Sequence, residues 1–247
     1  MRIETPALSE NTFENIPLSL VNEMTIQGTV NKTAILLFFL LLSASWVWYQ
    51  FYTLNDTENV FVYMWIGAIG GFFVALFTIF VKEWAPIAAP IYALLEGLAI
   101  GGVSAIFESV FPGIVIQAVG LTFGTLFVLL IAYKFGYIEV TDKFMFGVVI
   151  ATGAVALIYV VEIAIYSFTG FNIPYIHESG IIGIGFSLLV ITIAALNLIL
   201  DFEMIKNGVE NGAPKYMEWY AAFALMVTLV WLYLEILELL AKLRGSE

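Results

Sequence analysis

The chain has 247 residues, of which 62% are hydrophobic and 12% charged, and its mean hydropathy is +0.98. Soluble globular domains do not reach this composition, which predicts an integral membrane protein whose apolar side chains face lipid. The net charge of −11 argues against nucleic acid as a partner, and the absence of cysteine excludes disulfides, thiolate metal sites and a thiol nucleophile.

Seven apolar segments follow one another along the chain, at residues 33–51, 60–81, 87–107, 113–133, 144–168, 181–205 and 216–241. Each is long enough to cross a hydrocarbon core of roughly 30 Å as a helix. The connections are short and rich in Asn, Gly, Pro and Lys, so none can hold a separate soluble domain. The sequence therefore predicts an all-α membrane protein, with a cytoplasmic N-terminal tail at residues 1–31 and one seven-helix membrane domain at residues 32–247.

Basic residues predict the orientation, because Lys and Arg in short loops are retained on the cytoplasmic side. Seven of them lie in the tail or in the connections after spans two, four and six: Arg2, Lys32, Lys82, Lys134, Lys143, Lys206 and Lys215. The connections after spans one, three and five have none, and only Lys242 and Arg244 at the C-terminus break the pattern. The N-terminus is therefore expected in the cytoplasm and the C-terminus outside.

Two pairs of glycines suggest close helix packing. Gly67 with Gly71, and Gly97 with Gly101, have the small-xxx-small spacing that lets helix backbones approach one another in a membrane. Such pairs also arise from composition alone, so they predict packing and no particular function.

The residues that suggest a function are acids inside the apolar spans, because a charge at membrane depth costs several kcal/mol unless it is paired, neutralised or hydrated. Glu96 lies near the middle of the third span, Asp201 in the sixth and Glu235 in the seventh. Asn197 lies one helical turn before Asp201, on the same face. These four are the candidate ion-binding and pH-sensing residues.

Two of these acids also have a simpler interpretation. Glu96 could be a protonated carboxyl that is hydrogen-bonded to a neighbouring helix, and Asp201 could be a solvated residue at a helix end. Three further acids lie near span ends, where an interfacial position is favoured: Glu162, Glu218 and Glu238. With a single histidine and no cysteine, zinc and metalloprotease motifs lack ligands, so neither an enzyme nor a cofactor is expected.

Several segments together resemble the Bax inhibitor family. The sixth and seventh spans contain LILDFEMI at residues 198–205 and LYLEILELL at residues 232–240, which are similar to the paired acidic motifs of that family. The third span has ALLEGL at residues 93–98, similar to the family's Glu-bearing helix. NEMTIQGTVNKT at residues 22–33 and GAPKYMEWY at residues 212–220 resemble signatures of its bacterial YccA-like branch.

The resemblance implies a bundle in which six helices surround a central C-terminal seventh helix. It also implies a pH-sensitive calcium leak, gated by two carboxylates that share one site, here Asp201 and Glu235. These are expected to bind calcium as the transported ion, with protons as competitors and Asn197 as a further ligand. The family's latch arginine has only Lys82 as a possible counterpart. Glu235 stands where many relatives have Asp.

The resemblance also implies a location and an alternative function. The protein is expected to be a multi-pass protein of the bacterial cytoplasmic (inner) membrane, in contact with the lipid bilayer. Some YccA-like relatives bind a membrane protease through the N-terminal tail, so the alternative is a membrane regulatory protein that modulates a protease or a stress response.

Overall fold

A computed structural model describes residues 23–54, 57–170 and 178–245. Within these residues the chain forms seven α-helices: α1 (Ile26–Thr53), α2 (Thr57–Phe80), α3 (Ala85–Val110), α4 (Ile114–Lys134), α5 (Asp142–Thr169), α6 (Ile181–Glu210) and α7 (Met217–Gly245). All seven are long and apolar enough to cross a membrane. The predicted fold class, an all-α protein with seven membrane spans, is confirmed.

Local chemistry explains where helices start. α1 begins at Ile26, ahead of the apolar run at residue 33, because the Thr25 side chain caps it by accepting a 2.9 Å hydrogen bond from Gly28 N. Residues 26–31, predicted as the end of the tail, thus form the first turns of α1, while residues 1–22 lie outside the described part. Between α2 and α3 stands only a short 3-10 helix, Lys82–Trp84, and Pro86 then occupies the first turn of α3. Proline is tolerated there because N–H groups of the first turn have no helical partner.

Burial differs strongly among the helices. In the most apolar stretch of each helix, 61% of residues are buried in α7, 50% in the segment containing α3 and 39% in α6, but only 17–22% in the other four. α7 is thus the most buried of the seven described helices, as expected for the predicted central helix. The less buried helices expose large apolar side chains such as Phe73, Val128 and Ile163. In a bilayer these face lipid, which stabilises them.

The helices divide into two compact units. The first contains α1, α2, α3, the end of α6 from Glu203 and the start of α7 as far as Val227. The second contains α4, α5, α6 as far as Phe202, and α7 from Thr228 onward.

Within the first unit, α3 packs against both α1 and α2. The predicted glycine pairs lie at these contacts. A Cβ on Gly97 would collide with Leu40 O and Ser43 Oγ of α1, and one on Gly101 would lie 2.8 Å from Ala44 O. Gly67 of α2 faces the backbone of α3 in the same way. Close approach at these glycines is therefore confirmed.

Candidate functional site

Asp201 is a buried carboxylate with an incomplete set of hydrogen bonds. It lies on α6 and is only 9% exposed. The side chain of Thr228, on α7, hydrogen-bonds to it. Its other oxygen, Oδ2, is buried and has no hydrogen-bond partner among the described residues. A buried carboxylate oxygen without a donor is costly, so this atom is available to a cation or a proton.

Asn197 lies one turn before Asp201 and joins α6 to α5. Its amide nitrogen donates to Thr152 Oγ1 at 2.7 Å and to Ile193 O at 2.8 Å. These bonds orient the side-chain amide, and the spacing of four residues places it on the same face of α6 as Asp201.

Glu235 is held by two donors on a single oxygen. Tyr159 of α5 donates its hydroxyl to Oε1 at 2.7 Å, and Trp231, one turn earlier on α7, donates its indole N–H to the same atom at 3.0 Å. The side chain is buried. The two bonds fix the position of the carboxylate and stabilise its charge at this depth.

Near the C-terminal end of α7 a buried lysine forms a third polar group. Lys242 Nζ lies 2.7 Å from Glu238 Oε1 and donates to Ser187 Oγ of α6 at 2.8 Å. The earlier interpretation of Glu238 as an interfacial acid missed this partner, because nothing local in the sequence links residue 242 to α6.

These separate hydrogen-bonded groups recur along α5, α6 and α7, and together they are called the polar column from here on. Its members are Thr152, Tyr159, Ser187, Asn197, Asp201, Thr228, Trp231, Glu235, Glu238 and Lys242. On α7 they recur every three or four residues, which keeps them on one face. From Thr228 to Lys242 the rise is about 21 Å, or about two thirds of a bilayer core.

The structure places Asp201 and Glu235 at different levels of the polar column. Asp201 is level with Thr228, and Glu235 lies seven residues farther along α7, which is about 10 Å. Among the described residues their hydrogen-bond partners differ, because Thr228 bonds to Asp201 whereas Tyr159 and Trp231 bond to Glu235. Among the described residues, no group of three or more His, Asp or Glu side chains could hold a metal ion. That these two carboxylates share one calcium site stays a prediction.

The other two predicted residues belong to the first unit. Glu96 hydrogen-bonds to Tyr92, one turn earlier on α3, and its Oε2 lies 3.2 Å from the position that a Cβ on Gly71 would take. The Lys82 ammonium lies 5.6 Å from the centroid of the Tyr220 ring. These contacts explain how the two side chains are held, and the ion-binding role of Glu96 and the latch role of Lys82 stay predictions.

Glu218 shows the largest departure from expectation. The sequence favoured a carboxylate at the interface that extends into water, whereas in the structure its side chain is fully buried. Its carboxylate pairs with Lys32 Nζ at 2.5 Å and Lys215 Nζ at 2.8 Å, and it accepts bonds from the backbone N and the hydroxyl of Thr25 at 2.9 and 2.8 Å. We call these four residues the Glu218 cluster.

The Glu218 cluster brings together two of the sequence segments that carried the family resemblance. Residues 22–33 supply Thr25 and Lys32, and residues 212–220 supply Lys215 and Glu218. Beside the cluster, Met24 N donates to Ala213 O at 2.6 Å, and Glu23 forms an isolated antiparallel bridge with Pro214. The start of the described chain is thus fixed to the connection between α6 and α7.

Comparison with known proteins gives one match. A family model described as Bax inhibitor 1 like matches residues 5–245, which is nearly the whole chain. No curated protein and no solved structure matches.

Proposed function

The chain belongs to the Bax inhibitor 1-like family, and from this premise we propose that it is a pH-sensitive calcium-leak channel or transporter. The observation that carries the proposal is the buried Asp201, whose Oδ2 has no hydrogen-bond partner in the described part of the chain. An acid at this depth without a full set of partners is typical of an ion or proton pathway.

The polar column supplies oxygen ligands in succession. Calcium binds carboxylate, hydroxyl and amide oxygens, and these occur at Asp201, Thr228, Asn197 and Glu235. Because Asp201 and Glu235 lie at different levels, we propose two successive cation stations in place of the single shared site that the resemblance predicts. Each station has few ligands and binds weakly, which suits conduction, since an ion must also leave each site.

Protons compete with calcium at both stations. A carboxylate must be deprotonated to bind a cation, so lowering the pH removes the ligand and raising the pH restores it. Calcium uptake is therefore expected to increase as the pH rises. This sign holds whichever of the two carboxylates is protonated first.

Neutralising Asp201 tests the proposal. In proteoliposomes that contain purified protein, Asp201→Asn should lower the initial rate of calcium uptake about tenfold at the pH where the wild type is most active, which is the effect of losing one charged ligand. The remaining uptake should depend less on pH. Glu235→Gln should also lower the rate, because Tyr159 and Trp231 then hold a neutral amide.

Glu203→Gln is the matched control. Glu203 lies two residues after Asp201 on α6, which is about half a turn away, and is 4.0 Å from Lys206. Its loss of charge should leave uptake unchanged. If Asp201→Asn and Glu235→Gln both took up calcium like the wild type at every pH, the assignment of the cation stations would be abandoned.

The same premise supports three finer proposals. We propose that the chain belongs to the YccA-like branch and that it lies in the bacterial cytoplasmic membrane. We also propose that its N-terminus is cytoplasmic and its C-terminus exterior. The lysine and arginine distribution supports the last of these. The family is generally non-enzymatic, and we propose no catalytic activity for this chain.

A second candidate function is supported by the N-terminal contacts. Glu23 and Met24 bind the connection that leads into α7, so a partner that pulls on the preceding tail would act on that connection. We propose that a membrane protease is such a partner. Deleting residues 1–21, which lie outside the described part, should abolish regulation of the protease and leave calcium uptake unchanged. Regulation that survives the deletion would rule out this role of the tail.

A further inference from the structure

Lys242 is an unusual residue, because a lysine side chain inside a membrane helix is normally extended toward water. Here it is only 4% exposed, and its ammonium points into the contact between α6 and α7. The oxygens near Nζ among the described residues include Glu238 Oε1 at 2.7 Å, Ser187 Oγ at 2.8 Å and Gly183 O at 3.5 Å.

The chemistry of these oxygens is that of a site for a hard cation. One carboxylate, one hydroxyl and one backbone carbonyl are the ligand types that calcium takes from proteins. An ammonium is also a compact cation that binds oxygen, but this one is joined to the chain. Lys242 thus occupies a position that the surrounding groups would offer equally to a free cation.

The position is close to bulk solvent. Lys242 is three residues from the end of α7, and the Glu238 side chain is 31% exposed. An ion can therefore reach Glu238 without crossing the apolar part of the bundle. Glu235 lies three residues deeper on the same face of α7, about one turn from Glu238.

We propose, resting on the function proposed above, that Lys242 is a tethered cation that closes the C-terminal end of the polar column, and that a calcium ion must displace its ammonium from Glu238, Ser187 and Gly183 to pass. When the ammonium leaves, the three oxygens become ligands of the entering ion. When the ion moves on, the ammonium returns. Lys242 is then a residue that limits the leak.

A binding measurement tests the site itself. Lys242→Met removes the charge and keeps the length of the side chain. In detergent, equilibrium dialysis with radioactive calcium should show one more bound ion per chain for this variant than for the wild type. Adding Glu238→Gln to Lys242→Met should remove that ion. Lys206→Met, an exposed lysine on α6, is the control and should gain none.

Uptake in proteoliposomes tests the limiting role. Lys242→Met should increase the initial rate of calcium uptake about tenfold, because the entering ion no longer displaces a charged hydrogen-bonded group. If Lys242→Met gains neither a bound ion nor uptake, the inference is wrong, even when the wild type conducts calcium. If Lys242→Met gains the bound ion while no variant conducts calcium, the role of Lys242 as a tethered cation is supported and the proposed leak function is wrong.

A measurement on the wild type covers the case in which Lys242→Met does not fold. An amine-reactive reagent modifies an exposed lysine faster than a buried one, and mass spectrometry locates the modified residue. Calcium should accelerate modification of Lys242 by releasing its ammonium, and leave the rate at exposed Lys206 unchanged. An identical rate at Lys242 with and without calcium would overturn the inference.

Discussion

Glu218→Ala is expected to lower the melting temperature of the purified protein in detergent by about 5–10 °C, corresponding to a loss of about 2–4 kcal/mol. The substitution leaves Lys32 and Lys215 without their common carboxylate and removes the acceptor of two hydrogen bonds from Thr25. The effect stays at this level because both lysines are partly exposed and can regain water.

The matched control for Glu218→Ala is Glu210→Ala. Glu210 is the exposed last residue of α6, so its removal should change the melting temperature by less than about 2 °C. Gly28→Ala should reproduce part of the loss, because a Cβ at that position would collide with the Glu218 carboxylate. Equal melting temperatures for Glu218→Ala and Glu210→Ala would show that the Glu218 cluster does not stabilise the fold.

Gly97→Ala, which adds a single methyl group, is expected to destabilise the protein by about 2 kcal/mol or more. The melting temperature should be at least about 4 °C lower. The added Cβ would meet the carbonyl of Leu40 and the hydroxyl of Ser43, so α1 must move away from α3. Backbone atoms of a helix cannot adjust separately, which makes this contact harder to relieve than one between side chains.

The same substitution at Gly124 should have the opposite sign. No atom lies within 4 Å of the position that a Cβ would take there. Gly124→Ala should then stabilise α4 by as much as about 1 kcal/mol, because alanine is the better helix former. The melting temperatures of both variants can be compared by heating the purified proteins and measuring the remaining folded fraction by size-exclusion chromatography. A similar loss for Gly97→Ala and Gly124→Ala would attribute the effect to glycine in general and not to the contact between α1 and α3.

The apolar runs were sufficient to predict the seven helices, because length and hydropathy within one segment determine whether it can span a membrane. Glycine spacing was sufficient to predict that α2 and α3 each approach a neighbouring helix closely, since small residues on one face of a helix permit close approach. The identity of those neighbours came only from the structure. The start of α1 was less predictable, because the cap at Thr25 lies in a polar stretch.

The partners of the acids could not be predicted from the sequence. Tyr159 and Glu235 are separated by 76 residues, Lys242 and Ser187 by 55, and Thr25 and Glu218 by 193. No local pattern connects such residues, and only tertiary packing brings them together. For Glu218, the sequence position near a helix end predicted that water would solvate the charged carboxylate. In the structure, two lysines and Thr25 replace that water.

The Glu218 cluster also has a consequence for how the chain is made. Thr25 and Lys32 are synthesised first, while Glu218 is synthesised with the last helix, 193 residues after Thr25. Until the ribosome has passed the beginning of α7, the start of α1 carries an ammonium and a helix cap that have no carboxylate to bind. A shortened chain keeps these groups unpaired at the edge of the bilayer. The first described helix is therefore fixed late in synthesis, only after the beginning of α7 has been made.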